Sequence, residues 1–184
     1  MTNYPPRKRF LDQREIDAGM AEIADIARAE RLRVLLIGGC ALQFYGSDRL
    51  TADIDVAAER LPDSLPAEEA LTFGGVQTHT PGGVPVDWIV RADDYAKVFE
   101  EALEFPRRIE GLPLPVASPE YLVVMKMVAR RKKDAADLEA LLQSDLVDLD
   151  KARGMVKRLL GAYAADEFDA VLASAQWERS RRKT

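Results

Sequence analysis

Cysteine and histidine are nearly absent: Cys40 and His79 are the only ones in 184 residues. A single thiol excludes an intramolecular disulfide and a cysteine zinc cage. A single imidazole confines any Ser-His-Asp triad or multi-histidine metal site to that one residue. No apolar run approaches the roughly 18 to 20 residues a membrane helix needs, and the polar start Met1 to Arg9 lacks the apolar stretch of a signal peptide. The expectation is a cytoplasmic protein with no membrane partner. Positive charge is not in excess either, since 26 lysines and arginines face 31 aspartates and glutamates, a net charge of −5. Contact with nucleic acid would need a local basic patch, because the global field is mildly repulsive. The chemistry is left to carboxylates, lysines and arginines.

What is present is a globular mixture, 47% hydrophobic and 31% charged, which argues against a disordered chain and suits about one domain. Leu11, Ile16, Met20, Ile23, Ile26 and Ala27 recur at helical spacing through about residue 30. Arg33 to Ile37 is a short β-branched run stopped by Gly38-Gly39 and followed by helix-prone Ala41 to Tyr45, a strand-turn-helix unit that Gly46 closes. Asp53 to Ala57 alternates acidic and apolar residues as a half-buried strand does. The runs 76–80 and 84–90 flank Pro81-Gly82-Gly83 as a hairpin would. Helical periodicity returns from Asp93 to Leu103. A proline-rich connection then leads to Ser118-Pro119-Glu120, a helix start with a capping serine. Further helices are predicted over 121–129, 134–142, 149–160 and 166–177. The fold class expected is α/β: a small mixed β-sheet flanked on one side by helices, with a C-terminal helical segment. Residues 1–110 form the α/β core with its N-terminal helix, and 111–184 the helical segment that completes the site.

The informative stretch runs from Ile37 to Val56. On a strand, Asp53 and Asp55 project to one face about 6.5 to 7 Å apart, and a soluble core avoids such neighbours unless a cation lies between them. Hard divalent ions, Mg2+ or Mn2+, take oxygen ligands and can clamp phosphate oxygens during nucleotidyl transfer. Gly38 and Gly39, just before a helix, allow close approach of a phosphate to backbone N–H groups. Asp87 lies on a strand whose Val86 and Trp88 point to the opposite face. If that strand lies beside the Asp53 strand, Asp87 completes an acidic triad and could deprotonate an acceptor hydroxyl. A haloacid-dehalogenase-type phosphatase would need an apolar strand directly before Asp53, which Leu50-Thr51-Ala52 does not supply. Gly-x-Gly-x-x-Gly is absent, so no dinucleotide fingerprint is present.

These motifs resemble the nucleotidyltransferases of the polymerase-beta-like superfamily. The local form Gly-Gly-x-Ala, then Tyr-Gly, Arg, Thr and Asp-Ile-Asp is most similar to the AbiEii/AbiGii-like toxin nucleotidyltransferases, with a layout shared by lincosamide-type antibiotic nucleotidyltransferases. The resemblance implies that Gly38 and Gly39 hold a nucleoside triphosphate, that Asp53 and Asp55 bind magnesium, and that Asp87 is a third ligand or general base. It implies that Arg49 and Thr51 orient the acidic loop or touch phosphate. Lys126, followed by Asp134 and Asp137, resembles the helical lysine and later aspartate of the toxin group. The implied reaction moves a nucleoside monophosphate from an NTP to an acceptor hydroxyl on transfer RNA, protein or a small molecule, and a cognate antitoxin is an implied partner. The alternative is a catalytically inactive nucleotide-binding or protein-interaction module of the same fold.

Plainer roles stand beside these. Arg130 to Lys133 is a solvated charge run or an attractor of nucleotide or RNA phosphates. Cys40 reads as a small buried residue, His79 as a hairpin surface residue, and Trp88 and Trp177 as packing. Lys126 could snorkel from an apolar helix.

Overall fold

The computed structural model describes residues 9–182; the basic residues Arg7, Lys8 and Lys183 and the side chains of Lys132, Lys133 and Arg182 lie outside that description. Helix α1 (Gln13–Glu30) starts at a reciprocal cap. Asp12 Oδ1 accepts the Glu15 N–H and Glu15 Oε2 accepts the Asp12 N–H, both at 2.9 Å, satisfying two of the orphan donors of a helix start. Ile16, Met20, Ile23 and Ala27 form its buried stripe. A Cβ at Gly19 would lie 2.7 Å from Ile54 Cδ1 and 2.9 Å from Val84 Cγ1, so the bare glycine lets α1 close on the sheet.

Among the described residues the sheet has five strands: β1 (Val34–Leu36), β2 (Ile54–Ala58), β3 (Glu69–Ala70), β4 (Val76–His79) and β5 (Pro85–Ile89). Their spatial order is β1-β2-β5-β4-β3, with β2 and β5 parallel and every other pair antiparallel. The short helix α2 (Gly38–Gln43) connects β1 to β2. The expected hairpin forms around Pro81-Gly82-Gly83, closed by Thr80 N–H to Val84 O at 2.9 Å.

Alternation then assigns the faces. Ile54, Val56, Val86 and Trp88 are fully buried on the α1 side, with Trp88 Nε1 donating to Thr78 Oγ1 at 3.0 Å. Asp55, Asp87 and Ile89 lie on the other side, towards α3 (Ala96–Glu104) and α4 (Pro119–Ala129). Helices thus cover both faces, which corrects the expectation of one. The reason lies in α4, which is buried at every position from Pro119 to Met127. A helix apolar around most of its circumference needs cover on every side, and the sheet gives one side of it. The rest comes from α5 (Lys132–Gln143), α6 (Leu149–Leu160) and α7 (Ala162–Arg182). The Ser118 cap forms as expected, its Oγ accepting from Tyr121 N–H at 3.4 Å. Trp88 packs in the core, whereas Trp177 on α7 is 59% exposed, with Arg181 stacked 4.7 Å over its ring.

The two halves are knit at the sheet edge. Leu36 accepts the Ala117 N–H at 3.0 Å and donates to Pro115 O at 2.8 Å, while Tyr45 Oη donates to Ala117 O at 2.8 Å. No helix among the described residues is long and apolar enough to cross a membrane.

Candidate functional site

Parallel pairing of β2 with β5 sets Asp55 directly opposite Asp87, and Asp53 joins them from the residue before β2. One carboxylate oxygen from each lies within 4.8 Å of the other two. Each aspartate is steered by a neighbour: Thr51 Oγ1 donates to Asp53 O at 2.8 Å, Gly39 N–H to Asp55 Oδ2 at 3.3 Å, and Gln77 Nε2 to Asp87 Oδ1 at 2.6 Å. The donor set suits a hard divalent cation, being all oxygen and triply negative. A Mg2+ ion with ligands at about 2.1 Å spans roughly 4.2 Å between opposite oxygens, so small side-chain rotations bring the three onto one ion.

The glycine pair is shaped by the same carboxylate. Gly38 has φ +63°, and a Cβ there would overlap the Asp55 carboxylate. Both the backbone conformation and the space therefore demand glycine. A Cβ at Gly39 would sit 3.0 Å from Thr51 Oγ1. The turn thus seats Asp55 closely, and its Gly39 amide is directed at that carboxylate.

Beside the triad lies a buried ionic cluster. Lys126 Nζ, on α4, donates to Asp134 Oδ1 at 2.9 Å and Asp137 Oδ2 at 2.6 Å, both on α5. Arg131 Nε donates to Asp134 Oδ2 at 2.6 Å, and Arg49 NH1 pairs with Asp137 across 88 residues of chain. Lys126, Asp134 and Asp137 are 6%, 1% and 6% exposed, so Lys126 is held by its partners and does not snorkel to the outer surface. Burial pushes the Asp134 carboxyl up, but hydrogen bonds from Arg131 and Lys126 outweigh it and hold the group down at about 2. Three cations face two carboxylates here, leaving a surplus positive charge next to the three aspartates of the triad.

A cavity of about 290 Å³ joins the two clusters, with Gly38, Asp55, Lys126, Arg131 and Asp134 in its wall. The structure thus gathers Gly38, Gly39, Thr51, Asp53, Asp55 and Asp87 at one place and Lys126, Asp134, Asp137 and Arg49 beside it. Arg49 contacts the helical segment, and Thr51 the acidic loop. Gln77 is the residue sequence reasoning missed, although counting outward from Gly82 at the hairpin tip places it opposite Asp87. Arg131, read as part of a charge run, is committed to Asp134. Cys40 is fully buried, and burial, with Asp55 and Asp53 adding to it, pushes its thiol up to about 12, too high for a thiolate nucleophile at neutral pH. His79 is exposed and pairs with Glu68 at 2.7 Å.

A solved structure of an antigenic nucleotidyltransferase-like protein from Paracoccidioides brasiliensis superposes with a TM-score of 0.50 at 13% identity, covering 90% of this chain and 95% of that one. The solution structure of the antibiotic-resistance factor ANT(2'')-Ia gives a TM-score of 0.49 at 15% identity, over 94% of this chain and 100% of that one. No curated protein matches the sequence. The first likeness establishes a nucleotidyltransferase-like fold. Residues 14–184 match the family described as nucleotidyltransferase of unknown function, DUF6036, and the chain belongs to that family.

Proposed function

We propose that the protein is a metal-dependent nucleotidyltransferase that moves a nucleoside monophosphate from an NTP to an acceptor hydroxyl and releases pyrophosphate. The observation that carries this reading is the register of β2 and β5, which draws Asp53, Asp55 and Asp87 within 4.8 Å at the glycine turn. Mg2+ or Mn2+ held by these carboxylates would supply charge neutralisation at the α-phosphate. Asp87, oriented through Oδ1 by the Gln77 amide, takes the proton of the acceptor hydroxyl. The hydroxyl oxygen forms the new bond to the α-phosphorus as the bond to the bridging oxygen breaks, and pyrophosphate carries the electron pair away. Gly38 and Gly39 seat the Asp55 carboxylate against the turn, where it would hold the metal that meets the triphosphate. An ammonium has three donors; Asp134 and Asp137 take two of those of Lys126 and fix its position, which leaves one for a phosphate oxygen.

A finer reading is supported by the resemblance of Lys126, Asp134 and Asp137, brought together here, to the helical lysine and later aspartate of the AbiEii/AbiGii-like toxins. We accordingly infer the toxin of a toxin–antitoxin pair, with growth arrest on expression and relief by an Asp53→Ala, Asp55→Ala double variant. The biochemical test is metal-dependent transfer of label from each α-labelled NTP into a cell extract. Label transferred by the wild type and not by the double variant supports the assignment, and its size class identifies the acceptor. Nucleotide binding without transfer would point instead to an inactive module.

A further inference from the structure

Beyond the acidic mouth, the cavity is lined by apolar side chains: Ile37, Ile89, Phe99, Leu122 and Met125. At about 290 Å³ it is at the small end of ligand sites, enough for the uncharged end of a nucleotide but not for a whole NTP. A triphosphate would not be desolvated against these residues, because buried charge without partners is costly. It belongs at the mouth, where Gly38, Asp55 and Lys126 stand. Asp87 is not part of the cavity wall, so the space opens towards the donor side of the site and away from the proposed acceptor base.

One wall is built by a device that the nucleotidyl-transfer reading leaves unused. The connection between β3 and β4 turns through Gly74 and Gly75, at φ +96° and +101°. A Cβ at Gly75 would overlap the Trp88 carbonyl oxygen, and one at Gly74 would lie 2.8 Å from the Val90 carbonyl oxygen. Glycine at both positions presses this turn onto the backbone at the end of β5, and Gly74 N–H donates to Leu71 O at 3.1 Å. The result places Phe73, half-buried, at the cavity, with the Arg131 guanidinium 5.4 Å over its ring. Asp134 fixes that guanidinium from the other side.

We propose that the nucleobase and ribose of the donor NTP occupy this apolar cavity, with the base stacked on Phe73 and the ring held in place by Arg131. The inference rests on the nucleotidyltransferase reading above. Recognition by stacking tolerates every base, since each has a π-face. The two arginines that border the apolar part are both engaged, Arg91 by Asp93 and Arg131 by Asp134, and Arg91 lies 5.5 Å over the Phe99 ring. The four NTPs therefore bind within about tenfold of one another.

The test is calorimetric titration of the full chain with Mg2+ and ATP, GTP, CTP, UTP or inorganic tripolyphosphate, comparing wild type, Phe73→Ala and Phe73→Tyr. Loss of stacking weakens every NTP by about 5- to 150-fold in Phe73→Ala, while tripolyphosphate is unchanged and Phe73→Tyr binds as wild type does. NTP affinity unaffected by Phe73→Ala would overturn the base site alone, as would an equal loss for tripolyphosphate. A folded wild type that binds neither NTP nor tripolyphosphate would overturn the nucleotidyltransferase reading and this site with it.

Discussion

Replacing Lys126 by methionine keeps the length of the side chain and removes its charge. Asp134 and Asp137 would then remain buried, each with one guanidinium, from Arg131 and Arg49. Breaking a buried ion pair costs about 3 to 5 kcal/mol, and the surviving arginines place this case near the lower end, about 3 kcal/mol. With an unfolding entropy of roughly 2.1 cal/mol/K per residue, 184 residues give about 0.4 kcal/mol/K and a fall in Tm of about 8 °C. Acid titration adds a second handle. Asp134 sits at about 2 when folded, below its ordinary 3.8, so its ionised form stabilises the fold above about pH 4 and that contribution is lost as pH falls towards 2. The difference amounts to about 2 kcal/mol, part of which Lys126→Met removes above about pH 4, so the acid limb of the variant is shallower. Urea unfolding of the two proteins at neutral pH, and Tm measured down to about pH 2, reads both effects. A Lys126→Met protein within about 1 kcal/mol of wild type, with an unchanged acid limb, would refute the reasoning, since a residue outside any buried network behaves so.

Other perturbations test the geometry piece by piece. Gly38→Ala forces a left-handed alanine, at about 1 to 2 kcal/mol, and pushes the Asp55 carboxylate aside; Mn2+ affinity measured by electron paramagnetic resonance falls at least about tenfold. Asp55→Asn relieves like-charge repulsion, so its metal-free Tm equals or exceeds that of wild type. Saturating Mg2+, worth about 2.7 kcal/mol at a hundred times Kd, raises Tm in wild type only. Gln77→Leu removes the amide that orients Asp87; transfer slows by about 10- to 100-fold in single-turnover assays while stability changes by about 1 kcal/mol.

The strands that carry the aspartates were legible because their neighbours are unambiguous: Gly38-Gly39 ends an apolar run, and Asp53-Ile-Asp-Val alternates at period two. The proximity of Asp87 to Asp55 was conditional, since no local pattern states that β5 crosses back to lie parallel to β2. β3 is two exposed residues with no alternation to read, and it escaped notice. The Gly74-Gly75 pair carried a visible turn signal, but its purpose depends on contact with Trp88 and Val90 carbonyls from another strand. Arg49 to Asp137 spans 88 residues, a contact that exists only once α5 has packed against the α/β core. The second face of helices followed from a largely apolar α4, whose charged residues are Glu120 and Lys126, a feature present in the sequence whose consequence for the sheet needed tertiary placement.

The most direct measurement is a crystal structure of the wild type with Mn2+ and an NTP analogue that cannot be cleaved between the α- and β-phosphates, collected for the anomalous signal of manganese. Manganese is expected at about 2.2 Å from oxygens of Asp53 and Asp55, with the triphosphate between the Gly38-Gly39 turn and Lys126. Manganese and phosphates bound elsewhere, with the three aspartates left bare, would contradict this placement.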